Sequence, residues 1–340
     1  MRENGSTTIL VLAVVVILTI ASSWAFLFLQ YNTKYIAESM RDDEEKRLLI
    51  QEAERLVDLL KQDETPHANS VSEKLMLENS EDVTIRVKIE DVSSRLNLNW
   101  IIGEELKESG FLIQGVSYFD FQAFRYENGF LTDFSCYTDF VQEEDLARYF
   151  SPYNYFNVNI CAELVLEELY VNRTDDREGA EIFRNDIREV REQNKPGLSN
   201  NIEPDMIHSF LGDDNYMLLY PVVNAQPVMN VHFIPTAILV NLFRYFKVPD
   251  PESKADNLIH LREISELSIE NLTQMLGKRQ YTQSRLHHFI GTITWFWEIE
   301  IIKTLENDNF IGLRWIIARI PNTENSEQII YRLVKEEYFK

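Results

Sequence analysis

The chain predicts an α+β fold in which one long N-terminal helix lies on an antiparallel sheet and a large, mainly helical segment is inserted between the strands. Three observations predict it. An apolar run from Ile9 to Leu29 continues, without Gly or Pro, into a polar stretch of helical spacing. Strand-like alternation occurs at residues 83–90 and again after Gly291. The residues between those strands carry mostly helical patterns.

The apolar run comes first. At a rise of about 1.5 Å per residue, roughly 20 apolar residues cross the hydrocarbon core of a bilayer, and Ile9 to Leu29 has that length. Thr19, Ser22 and Ser23 interrupt it, but their hydroxyls can bond back to helix carbonyls. A single transmembrane span is the expectation. Two alternatives stand beside it. One is a secretory signal with Ile9–Ile20 as its apolar part and Ala21-Ser22-Ser23 as its cleavage site, although Trp24–Leu29 stays apolar past that cut. The other is an unprocessed signal anchor. Arg2 and Glu3 precede the run while Lys34, Arg41, Lys46 and Arg47 follow it, so charge weakly favours a cytoplasmic rather than an extracytoplasmic soluble part.

From Gln30 to about Lys61, Ile36, Met40, Leu48, Leu49, Ala53, Leu56, Val57 and Leu60 recur at spacings near three and four, which puts them along one helix face. Asp43 lies at helix-neighbour distance from Lys46 and Arg47 on the other face. Gln62 to Glu81, with Pro66 and several Ser and Asn, reads as a linker or long surface loop. Val83, Ile85, Val87 and Ile89 then alternate with Thr84, Arg86, Lys88 and Glu90, as in a half-buried strand. Asp91-Val92-Ser93-Ser94 turns the chain into Arg95–Asn99, and the aromatic block from Phe111 to Phe140 suggests short segments around a local core. Helices are predicted over Cys161–Leu169, Ala180–Gln193 and Thr236–Phe246, and paired strands over Gly291–Ile301 and Gly312–Ile320, closed by a third from Gln328 to Leu333.

An internal echo runs through the middle. Asn157-Val158-Asn159 to Leu169 aligns without gaps on Asn230-Val231-His232 to Leu242. Each copy reads as an Asn-bearing turn feeding an apolar helix, with Asn placed to cap free amides and Pro235 near the first turn.

Composition narrows the function. With 340 residues there is room for about two soluble domains, each able to bury a core. A formal charge of −22 excludes phosphate-backbone binding, and so nucleic acid as a partner, while it suits a divalent cation. Cys136 and Cys161 are the only two cysteines; they allow one bridge or two buried thiols and exclude a disulfide framework. No Gly-rich phosphate loop, His-Glu-x-x-His or Gly-x-Ser-x-Gly occurs, so a nonenzymatic role is expected. His287-His288 is the one adjacent histidine pair, and neighbours on a helix point about 100° apart, against a shared metal. Asp175-Asp176 with Glu178, and Asp213-Asp214 with Asn215, could offer oxygen ligands to calcium, though such runs are commonly solvated loops.

Four features together resemble the general secretion pathway protein K family, the large minor pseudopilins of the type II secretion system. They are a short leader ending in Gly5 before the apolar helix, Ile89-Glu90-Asp91 followed by Leu96-Asn97-Leu98-Asn99, the two Asn-Val helix starts, and Gly291-Thr292-Ile293-Thr294-Trp295-Phe296-Trp297. Ile187–Arg191, Lys195-Pro196-Gly197 and Asp205-Met206-Ile207 are also similar to that family's middle region.

The resemblance implies a pilin-like sheet and a cut by prepilin peptidase between Gly5 and Ser6. It also implies an assembly helix packing through Ile9, Leu10, Leu12 and Val16. At the fifth mature position, where pilins usually carry Glu, this chain has Leu10, as a tip subunit that docks on no predecessor would. It implies a subunit that caps the pseudopilus with the small I and J pseudopilins and helps initiate its assembly for secretion across the outer membrane. Its further partners would be the inner-membrane secretion platform and secreted cargo. The implied placement is the inner membrane, single-pass, with the soluble part in the periplasm, and family members can bind calcium. On this reading the chain divides into a leader (1–5), the N-terminal helix (6–61), the first part of a pilin-like domain (62–145), an inserted helical domain (146–285) and closing strands (286–340). The alternative is a single-pass envelope sensor or scaffold outside any filament.

Overall fold

The structure is a computed structural model that describes residues 40, 42–62, 84–97, 99, 118–130, 148–192, 202–219, 222–305, 309–321 and 329–339. Among these residues no helix is long and apolar enough to cross a membrane. The expected transmembrane helix and single-pass inner-membrane placement are therefore corrected to an amphipathic N-terminal helix, with no span among the described residues. The N-terminal helix that is described, α1 (residues 42–61), is amphipathic, and its outer face holds charged residues such as Asp43, Glu44, Arg47 and Glu54 that hydrocarbon would not accommodate. The apolar stretch Ile9–Leu29, the processing residues Gly5 and Ser6, the assembly residues Ile9, Leu10, Leu12 and Val16, the loop 63–81 and Cys136 lie outside the described residues.

Helix α1 buries a narrow stripe. Leu49, Ala53, Leu56 and Leu60 are fully covered, whereas Met40 and Leu48, assigned to the same face by spacing, are exposed. The stripe rests on a four-stranded antiparallel sheet, β1 (Ile85–Asp91), β6 (Phe296–Thr304), β7 (Phe310–Pro321) and β8 (Ile329–Phe339), joined in that spatial order. Alternate residues of the sheet meet α1: Val87 and Ile89, then Trp297, Ile299 and Ile301, then Ile311, Leu313, Trp315 and Ile317. Each buried Leu here contributes about 2 kcal/mol. Lys303 pairs with Glu45 at 2.5 Å near one end of α1, and the Tyr331 hydroxyl donates to the Leu60 carbonyl at 2.7 Å near the other. Strand β8 runs six residues past the predicted end at Leu333, carrying the charged Lys335, Glu336 and Glu337 on the edge of the sheet.

The opposite face of the sheet divides in two. Its Phe296, Ile316, Ala318 and Ile320 join the core of a helical body. The other part is a charged row in which Lys88, Glu300, Arg314 and Glu337 stand directly opposite one another across all four strands, alternating in sign. Arg314 lies 2.8 Å from Glu300, 3.3 Å from Glu298 and 3.8 Å from Glu337.

The helical body enters between β1 and β6. It contains α2 (Tyr118–Asn128), within the aromatic block, then α3 (Glu163–Thr174), α4 (Arg177–Glu192) and α5 (Pro204–Leu219). After them come α6 (Thr236–Tyr245), α7 (Pro251–Ile264), α8 (Ile269–Leu276), α9 (Lys278–Tyr281) and α10 (Leu286–Phe289). Two short parallel ladders tie it together: β2 (Phe156–Asn157) with β3 (Val223–Asn224), and β4 (Met229–Asn230) with β5 (Ile290–Gly291). One antiparallel pilin-like sheet is therefore corrected to a mixed system. Two-residue ladders leave no alternation for a sequence pattern to reveal.

At Gly312 the ring of Phe339 lies across the strand where a side chain would stand, so a Cβ there would run into it. Gly312→Val is expected to lower stability by about 1–3 kcal/mol in urea unfolding, and adding Phe339→Ala in the same chain should recover most of the loss. A loss that Phe339→Ala leaves unchanged would show that the ring is not the obstacle.

Candidate functional site

The segments singled out by sequence converge where the helical body meets the sheet. Four asparagines share one local device there. The side-chain carbonyls of Asn97, Asn157, Asn224 and Asn230 each accept from the backbone N–H two residues on, at 2.9, 2.7, 3.1 and 3.0 Å, closing Asx turns. In the two echoed copies the match extends further. The Asn157 carbonyl accepts from the N–H of Cys161 at 2.9 Å, as the Asn230 carbonyl does from Ile234 at 3.1 Å.

These asparagines do not cap the helices, as the spacing suggested. The N-cap residues are Ala162 and Pro235, both extended and both without a side-chain acceptor, and the Asx turns precede them. The amide Nδ2 atoms work outward instead: Asn157 donates to the Gln226 carbonyl at 2.6 Å and Asn230 to the Thr294 hydroxyl at 3.0 Å.

Two arginines complete the duplication. Arg191 donates from Nε and Nη2 to the Val158 carbonyl, at 3.1 and 2.5 Å, and from Nη2 to the Cys161 carbonyl at 2.8 Å. Arg262 donates from Nη1 to the equivalent carbonyls of Val231 and Ile234, at 3.1 and 2.8 Å. Burial draws both guanidiniums below their usual pKa. The echo did not extend to these clamps, yet a signal existed, since they follow their carbonyl partners by 33 and 31 residues.

A buried carboxylate ties the copies to the sheet. Asp91, at the end of β1, accepts through Oδ1 from the Ser93 hydroxyl at 3.0 Å and the Ser94 N–H at 2.7 Å. Through Oδ2 it accepts from the hydroxyls of Ser94 at 2.8 Å and Thr294 at 2.5 Å. Ser94 Oγ in turn accepts from the Asn230 N–H at 2.8 Å, Ser93 Oγ from the Trp295 N–H at 3.0 Å, and the Ser93 carbonyl from Asn154 Nδ2 at 2.7 Å. Burial pushes the Asp91 carboxyl above its ordinary range, against the pull of these hydrogen bonds. Nearby, Trp295 Nε1 donates to the Pro227 carbonyl at 2.6 Å, and the Tyr155 hydroxyl donates to the Arg319 carbonyl. Gly291 is required beside them, because a Cβ would press on Pro227 at 2.6 Å. The polar groups of Asp91, Ser93, Ser94 and Thr294 are committed to one another and to the backbone, so the arrangement positions chain segments.

The calcium candidates have local duties. Asp175 is the left-handed C-cap of α3, with φ 57°, and Asp176 Oδ1 accepts from the Gly179 N–H at 2.9 Å at the start of α4. Asp213 and Asp214 fall on α5 beyond a break at Gly212, and their side chains lie outside the described residues. The two runs approach the same hydroxyl: Asn215 Nδ2 donates to Tyr170 Oη at 2.6 Å, and after burial the charge of Asp176 is the second influence raising that phenol's pKa. Among the described residues no three His, Cys, Asp or Glu side chains gather as a metal set. Cys161 is a free, buried thiol whose pKa burial pushes up.

His287 and His288 differ from expectation, with ring centroids 3.8 Å apart rather than directed away from each other. Burial drives His288 down to about 3, and the charges of His287, Arg285 and Arg191 act the same way.

No family model and no curated protein matches the chain. The comparisons therefore lend no support to a secretion-system identity.

Arg262→Met or Arg191→Met keeps much of the side-chain volume but strands two carbonyls, and each is expected to cost about 1–3 kcal/mol in urea unfolding. A loss below about 0.5 kcal/mol would mean that water replaces the clamp. For His288 the unfolded ring takes up a proton near its ordinary value of 6.5, the folded ring only near 3. Its contribution is thus fully present above that ordinary value and is lost as pH falls toward the folded one, with a slope of up to about 1.4 kcal/mol per pH unit. The stability difference between wild type and His288→Leu should shrink on acidification by that slope; a difference independent of pH would refute the assignment.

Proposed function

We propose that the chain is a nonenzymatic tip subunit of a type II secretion pseudopilus, which caps the filament together with small I- and J-type minor pseudopilins and helps initiate its assembly. The observation that carries the reading is the meeting of its motif segments. Asp91, Asn97, Asn157, Asn230, Thr294 and Trp295, spread over some two hundred residues, hydrogen-bond within one junction or in the turns that feed it. These are the segments by which the sequence resembles the K family.

Shape supports the same role. An amphipathic helix seated on an antiparallel sheet suits a filament subunit, and here a large helical body is spliced into it between β1 and β6. Such a body would collide with its neighbours if repeated along a thin filament, whereas the end of a filament leaves it room. Secreted cargo and the secretion platform are the further partners this role requires.

The test is the mass of the mature N-terminal peptide from cells with and without prepilin peptidase. A start at Ser6 that depends on the peptidase is the expected outcome. A start at Met1 or Trp24 in both strains would overturn the proposal.

A further inference from the structure

The sheet ends on β8, and no strand among the described residues pairs with its outer edge. Ile330, Leu333 and Val334 on that strand are 48%, 42% and 47% exposed, apolar side chains left open along the edge of an otherwise strongly acidic chain. Edge strands offer a row of open backbone donors and acceptors, and long exposed ones are templates for a further strand. The question is which strand fits.

The bulge in β8 answers it. Against β7, Leu333 pairs with Ile317 and Lys335 with Ile316, so Val334 is the extra residue. Tyr331 and Leu333 on one side of the bulge, and Glu336 and Tyr338 on the other, stand opposite β7 residues whose side chains face α1 or its flank. Ile330, Arg332, Lys335, Glu337 and Phe339 stand opposite residues of the far face. The sequence of faces therefore reads the same in both directions about the Val334–Lys335 bond.

We infer that β8 is a homodimerisation edge, paired antiparallel with β8 of a second copy about that bond. In this register Ile330 faces Phe339, Tyr331 faces Tyr338, Arg332 faces Glu337, Leu333 faces Glu336 and Val334 faces Lys335, and each of the four pairs outside the bulge joins residues of the same face. The contact is isologous, so each pair occurs twice. Charge selects the same register. The row Lys88, Glu300, Arg314, Glu337 ends on an acid at the edge, and Arg332 of the second copy continues its alternation. Elsewhere two copies of a chain with formal charge −22 repel each other, whereas β8 carries Arg332 and Lys335 beside Glu336 and Glu337 and is locally neutral. The inference concerns this chain alone and does not rest on the filament reading.

Sedimentation equilibrium of the full chain, up to about 0.1 mM, tests it. Wild type is expected to dimerise, and Arg332→Glu or Glu337→Arg each to raise the dissociation constant at least about tenfold. An equimolar mixture of the two variants should regain the dimer, since both cross-strand pairs are restored between unlike chains. A monomeric wild type overturns the inference whatever the variants do. So does a dimer that both variants leave intact, which would place the contact on another surface, or a mixture that stays monomeric. If Glu337→Arg loses its fold, Arg332→Glu against wild type still decides.

Discussion

The buried carboxylate of Asp91 is the constraint on which the architecture depends. It sits where β1 leaves the sheet and accepts four hydrogen bonds, one of them from Thr294, just before β6 re-enters the sheet. An ionised carboxylate without partners would cost several kcal/mol in such a site, so the donors must be in place for the fold to close. Those donors are themselves held: Ser94 by Asn230, Ser93 by Trp295, Thr294 by the Asn230 amide. One charge thereby fixes how the strands before and after the insertion sit against the second helical unit. An apolar plug of equal volume could match it for stability, but it would not dictate a single arrangement of four separate segments.

The rest of the body follows from how its parallel ladders are built. Parallel strands need a long crossover, and each ladder has one made of helices: α3 to α5 between β2 and β3, and α6 to α10 between β4 and β5. A ladder of two residues contributes few hydrogen bonds, so the turn after it must be rigid in its own right. The Asx turn supplies that rigidity, and the arginine clamp satisfies carbonyls that the turn leaves open. Arg191 on α4 and Arg262 on α7 thus link each turn to the helix that follows the first helix of its unit. The duplication is one of mechanism as well as of sequence.

Much of this was readable in the sequence where a period exists. The alternation of Ile85, Val87 and Ile89 marked β1, and Leu49, Ala53, Leu56 and Leu60 marked the buried stripe of α1. The same spacing over-assigned Met40 and Leu48, because the sheet covers a narrower arc than the apolar residues occupy. The echo located both Asx turns but misplaced their role by assigning the asparagines to helix caps. What sequence could not show were features without periodicity: the two-residue ladders, the clamps reaching back about thirty residues, and the extension of β8 past Leu333 through Lys335, Glu336 and Glu337. Asp176 looked like a cation ligand and serves as a helix cap, since one short acidic side chain suits either task and only its neighbours decide.

The charged row explains where the helical body stops. Glu298 is pushed above its ordinary pKa by burial, with Arg314 pulling it back, so this part of the far face lies close to the boundary at which covering it would strand a charge. Burial works upward on Glu90 as well, but the Lys88 and Arg95 contacts prevail and hold it below the usual carboxylate range. Extending the body over this row would strip water from Lys88, Glu300, Arg314 and Glu337 together, and pairing in a dry interior seldom repays that loss. The apolar positions Phe296, Ile316, Ala318 and Ile320 carry no such penalty and are the ones the body covers. The switch from apolar to charged residues along one face of β6 and β7 therefore sets the footprint of the insertion and keeps the rest of that face open to water.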